Sequence, residues 1–138
     1  MITREQLEAL AHFLPVLAKP EFKAGEMQQP RQLKSNLYTV PHASYTEAAN
    51  DLVKVLYAKG WIRSDFDWPN WAPSPEARAL RDDPAALAEA TADQLAKLLT
   101  VVVRQERFSD GALLAAFDSG LILGIVRRAA AILDAERE

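Results

Sequence analysis

Cysteine is absent from this chain of 138 residues. Its absence excludes disulfide bonds, catalysis by a thiol and metal sites built from thiolates, and it is typical of proteins from a reducing cytosol. The two histidines show no metal-ligand pattern, since only Glu8 stands at a helical spacing from His12. No Gly-rich phosphate loop, dinucleotide fingerprint or nucleophile elbow is present. We therefore expect no metal and no cofactor, and we favour a function other than catalysis.

Long apolar runs and an excess of positive charge are also missing. No run approaches the roughly 20 apolar residues that cross a bilayer, and the first five residues lack the layout of a signal peptide. The net charge of −3 provides no basic field that would attract nucleic acid or an anionic membrane. The sequence predicts a soluble cytoplasmic protein that binds neither.

The chain does contain many helix-start signals. Hydrophobic residues make up 49% of it and charged residues 25%, which is typical of a globular domain of this length. Capping boxes, in which a Ser or Thr precedes a Glu or Gln by three residues, predict three helices. These boxes are Thr3 with Gln6, Ser44 with Glu47, and Thr91 with Gln94. A capping side chain before a proline predicts two short helices, at Ser74-Pro75 and Asp83-Pro84.

Helix ends complete the predicted fold. Pro15 should kink or end the first helix, Gly60 should end the second as a left-handed cap, and the helix from Thr91 should run to about Phe108. Ser109 is then the predicted cap of a helix that ends at Gly120, with Phe108 and Leu113 as its hydrophobic staple, and a last helix covers 121–136. Residues 19–43 read as irregular, with a strand at 37–40. We predict a single, mostly α-helical domain over residues 1–138, with about five to six helices.

The densest charge cluster is the octet from Arg104 to Gly111, between two apolar helical segments. At 100° per residue, Glu106 falls on the apolar, core-facing side of its helix, whereas Arg104 points away. A carboxylate there is costly unless it is paired or hydrogen-bonded. Its possible partners are the free amides of the following helix and Arg128 of the last helix. Arg107 and Asp110 flank the turn and are placed to bridge it.

Three interpretations of the octet stay open, and the last of them is that the helix ends early and leaves Glu106 simply exposed. In the first it is a structural ionic centre that fixes the angle between helices, with the members Arg104, Glu106, Arg107, Asp110 and Arg128. In the second, Glu106 is a general base or binds a ligand. The first is favoured because structural ion pairs are common at such junctions, and because Asp110 has a simple electrostatic role in the first turn of its helix.

The octet also carries a resemblance. Residues 90–133 resemble a family of small uncharacterised bacterial proteins that share an Arg-x-Glu-Arg-Phe-x-(Asp/Glu)-Gly element, followed by Ser-Gly (here Ser119-Gly120) and a terminal helix. The segment Asp67-Trp68-Pro69-Asn70-Trp71 resembles the family as well. This chain has Ser109 where relatives often have cysteine. The resemblance implies a shared fold and no particular reaction, so it assigns no catalytic residue.

A second notable segment, residues 61–71, is rich in aromatic side chains, with acidic residues between them. Trp61, Phe66, Trp68 and Trp71 stand beside Asp65 and Asp67. Such a segment most often anchors a loop over the core. The alternative is a shallow aromatic cleft in which the acids bind a polar ligand or the basic groups of a partner.

These observations give two functional hypotheses. The preferred one is a binding module for a protein partner or a second copy of the chain, because residues 112–133 are more apolar than one narrow helical stripe requires. The alternative is a small enzyme or small-molecule-binding protein, whose site combines the octet with the aromatic segment. The candidate binding residues are Glu106, Arg107, Asp110, Trp68, Trp71 and Asp67.

Overall fold

The computed structural model describes residues 2–29, 31–38 and 42–137. Helices predominate, and there are more of them than the five to six predicted. The helices are α1 (Arg4–Ala11), α2 (Leu14–Leu17), α3 (Glu47–Ala58), α4 (Trp68–Trp71), α5 (Pro75–Asp82), α6 (Pro84–Leu87), α7 (Ala92–Gln105), α8 (Ala112–Asp118) and α9 (Leu121–Arg137). The strands are β1 (Gly25–Gln28), β2 (Gln32–Lys34), β3 (Leu37–Tyr38) and β4 (His42–Tyr45).

Most of the predicted helix starts are confirmed. Complete capping boxes open α1 at Thr3 and α7 at Thr91. The side chains of Ser74 and Asp83 accept hydrogen bonds from the amides at the start of α5 and α6. Gly60 and Gly120 have the positive φ expected where a helix ends. These devices are local in sequence, which explains why the sequence predicts them.

Two predicted caps are wrong. Helix α3 is capped by the side chain of Thr46, because Ser44 lies within β4 and its hydroxyl accepts a hydrogen bond from Gln28. Ser109 does not cap α8 either, since α8 begins after Gly111 and α7 already ends at Gln105. The predicted staple also fails, because Phe108 is 80% exposed while Leu113 is buried.

Residues 19–43 contain more regular structure than predicted. β1 pairs with β4 in an antiparallel ladder from Gly25–Tyr45 to Gln28–His42, and β2 pairs with β3. The strand predicted at 37–40 is found at Leu37–Tyr38, and its last two residues lie outside the described part of the chain. A Cβ atom on Gly25 would lie 2.0 Å from the Ser44 carbonyl oxygen, so the β1–β4 pairing requires glycine at this position.

The core connects helices from both halves of the chain. α9 packs against α1, α2, α6, α7 and α8, and α7 buries an unbroken run from Leu98 to Val103. The apolar residues of 112–133 are absorbed here, since Leu113, Ile122, Ile125, Val126 and Leu133 all belong to the core cluster. The high apolar content of residues 112–133 is therefore explained by packing within the chain. No helix in the described ranges is long and apolar enough to cross a membrane.

Candidate functional site

The Glu106 carboxylate lies at the junction between α7 and α8, and both of its oxygens accept hydrogen bonds. Its Oε1 accepts from the amides of Gly111 and Leu113, both at 3.0 Å, and its Oε2 accepts from the Tyr45 hydroxyl at 2.8 Å. Because Gly111 is the N-terminal boundary of α8 and offers no side-chain cap, Glu106 supplies that cap from the preceding turn. A negative group there also interacts favourably with the helix dipole.

Tyr45, at the end of β4, extends this cap into the sheet. Its hydroxyl donates to Glu106 and accepts from the Leu114 amide at 3.1 Å. Burial of the hydroxyl raises the pKa of Tyr45 well above its usual value near 10. The hydrogen bond that it donates to Glu106 and the negative charge of that carboxylate raise this pKa further. The hydroxyl thus stays protonated as a donor, and it joins residues that are 61 positions apart in the sequence.

The raised pKa of Tyr45 predicts a loss of stability in alkali. An unfolded tyrosine releases its proton near pH 10, whereas the folded protein retains it, so unfolding becomes more favourable as the pH rises above 10. We expect the free energy of unfolding to fall more steeply between pH 10 and 11 for the parent than for Tyr45→Phe. The difference should stay below about 1.4 kcal/mol per pH unit, since partial exposure screens the interaction. The free energy of unfolding is measured by urea titration at each pH. If it falls equally steeply with pH in both proteins, the raised pKa of Tyr45 is contradicted.

Asp110 and Arg128, two other members of the predicted ionic centre, have partners other than Glu106. Asp110 accepts from the Ala43 amide at 3.2 Å, which ties the turn to β4, and it makes no bridge to Arg107. Arg128 donates to the Ala90 carbonyl oxygen at 2.7 Å. Among the described residues, the partners of Glu106 are two amides and one hydroxyl. The amide alternative is therefore the one observed, and Arg128 is not a partner of Glu106.

The aromatic segment divides into three environments. Trp61 is completely buried and its Nε1 donates to the Gln6 carbonyl oxygen at 3.1 Å. Trp71 packs under Lys97, and its Nε1 donates to Glu76. Trp68 instead lies next to the octet, with its ring centroid 6.1 Å from that of Phe108. Of the three tryptophans, Trp68 is therefore the one whose ring contacts a ring of the octet.

Trp68 forms one wall of a small cavity, which we call the arginine cleft. This cavity of about 220 Å³ is lined by Arg63, Ser64, Phe66, Trp68, Arg104, Arg107 and Phe108. Three cationic and three aromatic side chains thus line the same space, and these seven residues include no carboxylate and no histidine. The backbone at Arg63 is fixed, because its amide donates to the buried Thr100 hydroxyl at 3.0 Å.

The cations of the arginine cleft differ in their partners. Arg63 forms an ion pair with Asp93. Arg104 lies over the ring of Tyr57, with its guanidinium 5.8 Å from the ring centroid. Within the described ranges, neither Arg104 nor Arg107 forms an ion pair with a carboxylate. In these ranges, both guanidinium groups therefore lack a carboxylate counterion.

A second cavity also has Trp68 in its lining. It has a volume of about 540 Å³ and is lined by Trp68, Pro69, Ala72, Pro73, Arg78, Arg81 and Gln105. Neither Arg78 nor Arg81 has an ion-pair partner in the described part of the chain. Trp68 is thus a wall of two concavities, each of which contains arginines without carboxylate partners.

Comparison with protein families gives a match over nearly the whole chain. The model of a family of unknown function, DUF6508, matches residues 2–135. The chain belongs to this family. The match confirms the predicted membership of a family whose function is unknown. Comparisons with the curated proteins and with the solved structures found no match.

In this DUF6508 chain, two of the six candidate binding residues line the arginine cleft, namely Trp68 and Arg107. Glu106 and Asp110 are engaged in the α7–α8 turn, Trp71 binds Glu76, and Asp67 accepts from Asn70 at 2.6 Å. The sequence interpretation did not single out Phe108 or the two arginines of α5 as site residues. The helical phasing of Arg104 away from the core was the available signal, because it places a cation on the side where the aromatic segment lies.

Proposed function

We propose that this DUF6508 protein binds a small molecule with an anionic group in the arginine cleft. The observation that supports this function is the presence of Arg104 and Arg107 without carboxylate partners beside Phe66, Trp68 and Phe108. The planar guanidinium fork matches a carboxylate, phosphate or sulfonate group through paired hydrogen bonds. The three rings provide an apolar surface for the rest of the ligand.

Recognition in the cleft is local. The protein has a net charge of −3, and Asp65 and Asp67 are exposed on the same segment, so the overall field does not attract anions. At physiological ionic strength the Debye length is about 8 Å, so charges beyond that distance contribute little inside the cleft. Arg104 and Arg107 line the cleft and lack carboxylate partners in the described ranges, so they supply the attraction for a bound anion at short range. This favours a small ligand over an extended polyanion.

Isothermal titration calorimetry with naphthalene-2-sulfonate tests the proposal. The probe combines one anion with a planar apolar body, and naphthalene-2-sulfonamide is its neutral counterpart. We expect the parent to bind the sulfonate, and the variant Arg104→Gln/Arg107→Gln to bind it at least about tenfold more weakly, because each charged hydrogen bond contributes about 1.5–3 kcal/mol.

The matched control is Lys19→Gln/Arg127→Gln, which also removes two positive charges, both exposed and outside the two cavities of Trp68. It should bind the sulfonate as the parent does. If the cleft variant and the control bind equally well, or if the sulfonamide binds as tightly as the sulfonate, an anion site in the cleft is excluded. Urea unfolding of both variants verifies that each is folded.

A protein partner or a second copy of the chain is the other candidate. The observation that favours it is the hairpin of β2 and β3, on which Leu33, Leu37 and Tyr38 are each at least half exposed. Large apolar side chains so exposed on one short hairpin are typical of surfaces that bind another protein. Because this hairpin contributes no residue to the arginine cleft, the cleft variants leave such association unchanged and the two candidates remain distinguishable.

A further inference from the structure

We infer that the ligand of this protein carries two anionic groups, one for each of the two cavities that Trp68 lines. This inference rests on the proposed function and specifies the class of ligand. The arginine cleft provides Arg104 and Arg107, whereas the second cavity of Trp68 provides Arg78 and Arg81. A planar scaffold with an acidic group at each of two ends matches this arrangement.

Arg78 and Arg81 form a second cationic pair on one helix. They are three residues apart in α5, so their side chains lie on the same face of that helix. Two guanidinium groups at this spacing repel each other unless an anion lies between them or near them. Asp82 and Asp83 follow in the sequence, yet neither forms an ion pair with these arginines, and Asp83 accepts from the Ala85 amide instead.

The rest of the second cavity is suited to a rigid, partly apolar ligand. Pro69, Ala72 and Pro73 form an apolar wall, and the Gln105 side chain supplies an amide that can donate and accept hydrogen bonds. The volume of about 540 Å³ lies within the usual range of ligand pockets, whereas the 220 Å³ of the arginine cleft accommodates only a small group. The larger cavity therefore holds the body of the ligand, and the cleft holds one acidic end.

Trp68 connects the two cavities physically. It is the one residue that lines both, and Gln105 of the second cavity directly follows Arg104 of the first in the chain. The Trp68 ring also contacts Phe108, whose own ring is largely exposed to solvent. A ligand that extends past this shared wall would therefore have an arginine pair at each end.

A comparison of two related probes tests the inference. Naphthalene-2-sulfonate has one anion, and naphthalene-2,6-disulfonate has a second one at the opposite end of the same ring system. Affinities of both are measured by calorimetry for the parent, for Arg104→Gln/Arg107→Gln, for Arg78→Gln/Arg81→Gln and for the control Lys19→Gln/Arg127→Gln. We expect the parent and the control to bind the disulfonate at least about tenfold more tightly than the monosulfonate.

The variant Arg78→Gln/Arg81→Gln should lose this preference and still bind the monosulfonate like the parent. A disulfonate preference below the twofold statistical advantage of two identical groups would overturn the two-anion inference. So would a preference that survives in Arg78→Gln/Arg81→Gln. In both cases, monosulfonate binding that depends on Arg104 and Arg107 would leave the proposed function intact. If the parent binds neither probe, both the inference and the proposed function are wrong.

Discussion

Replacing Glu106 with alanine is expected to lower the free energy of unfolding by about 2–4 kcal/mol. The substitution removes the acceptor of three donors at once, namely the amides of Gly111 and Leu113 and the hydroxyl of Tyr45. These groups are partly buried, so water replaces the lost carboxylate only incompletely. Urea denaturation followed by circular dichroism measures the change, and the midpoint should move to lower urea concentration.

Glu106→Gln separates the cap from the charge. The glutamine side-chain oxygen can still accept from the two amides, so this variant should lose clearly less stability than the alanine variant. Asp110→Ala provides a comparison in the same turn, because Asp110 is exposed and accepts a single described hydrogen bond, from the Ala43 amide. If alanine and glutamine at position 106 are both as stable as the parent, the carboxylate does not hold the junction together.

Trp61→Ala is expected to have the largest effect on stability, a loss of about 3–5 kcal/mol. The side chain is completely buried, and its Nε1 is hydrogen-bonded to Gln6 of α1. The substitution therefore creates a large cavity and removes the hydrogen bond from the indole to the Gln6 carbonyl. Because Trp61 precedes Arg63 by two residues, the same variant should also weaken the anchoring of the arginine cleft. Thermal and urea unfolding measure the loss.

Trp68→Ala is the matched control for Trp61→Ala, since both remove an indole from the same segment. Trp68 is only partly buried and lines two cavities, so its removal should reduce stability much less and reduce sulfonate binding much more. Similar losses of stability in the two variants would contradict the distinction between Trp61 as a buried core residue and Trp68 as a residue that lines open cavities.

The parts of the fold that the sequence predicts correctly depend on neighbours in the chain. The capping boxes at Thr3 and Thr91 and the glycine at Gly60 need only a few adjacent residues to act. Phasing along α7 likewise predicts a hydrogen-bonded carboxylate at Glu106, although Arg104, predicted to point away from the core, is half-buried and lies over the Tyr57 ring. These are properties of a single helix, which is why they are visible without tertiary structure.

The incorrect cap predictions have two different causes, one distant in the sequence and one largely local. Ser44 has the spacing of a cap, but pairing of β1 with β4 places it in a strand. Ser109 is the better cap residue by type, yet the Glu106 carboxylate and the Tyr45 hydroxyl already occupy the amides that begin α8. Arg78 and Arg81 line the same cavity as Trp68 because of where α4 and α5 lie against α7, and no local sequence pattern specifies that position.

The Glu106 cap has a consequence for affinity. Glu106 stands between Arg104 and Arg107, so the bonds that fix its carboxylate also fix the backbone that carries both cations of the arginine cleft. A ligand of the proposed site would therefore meet a turn that is already ordered, and little conformational entropy would be lost from that backbone on binding. Tyr45 thereby contributes to preorganisation of the cleft although it is not among the lining residues.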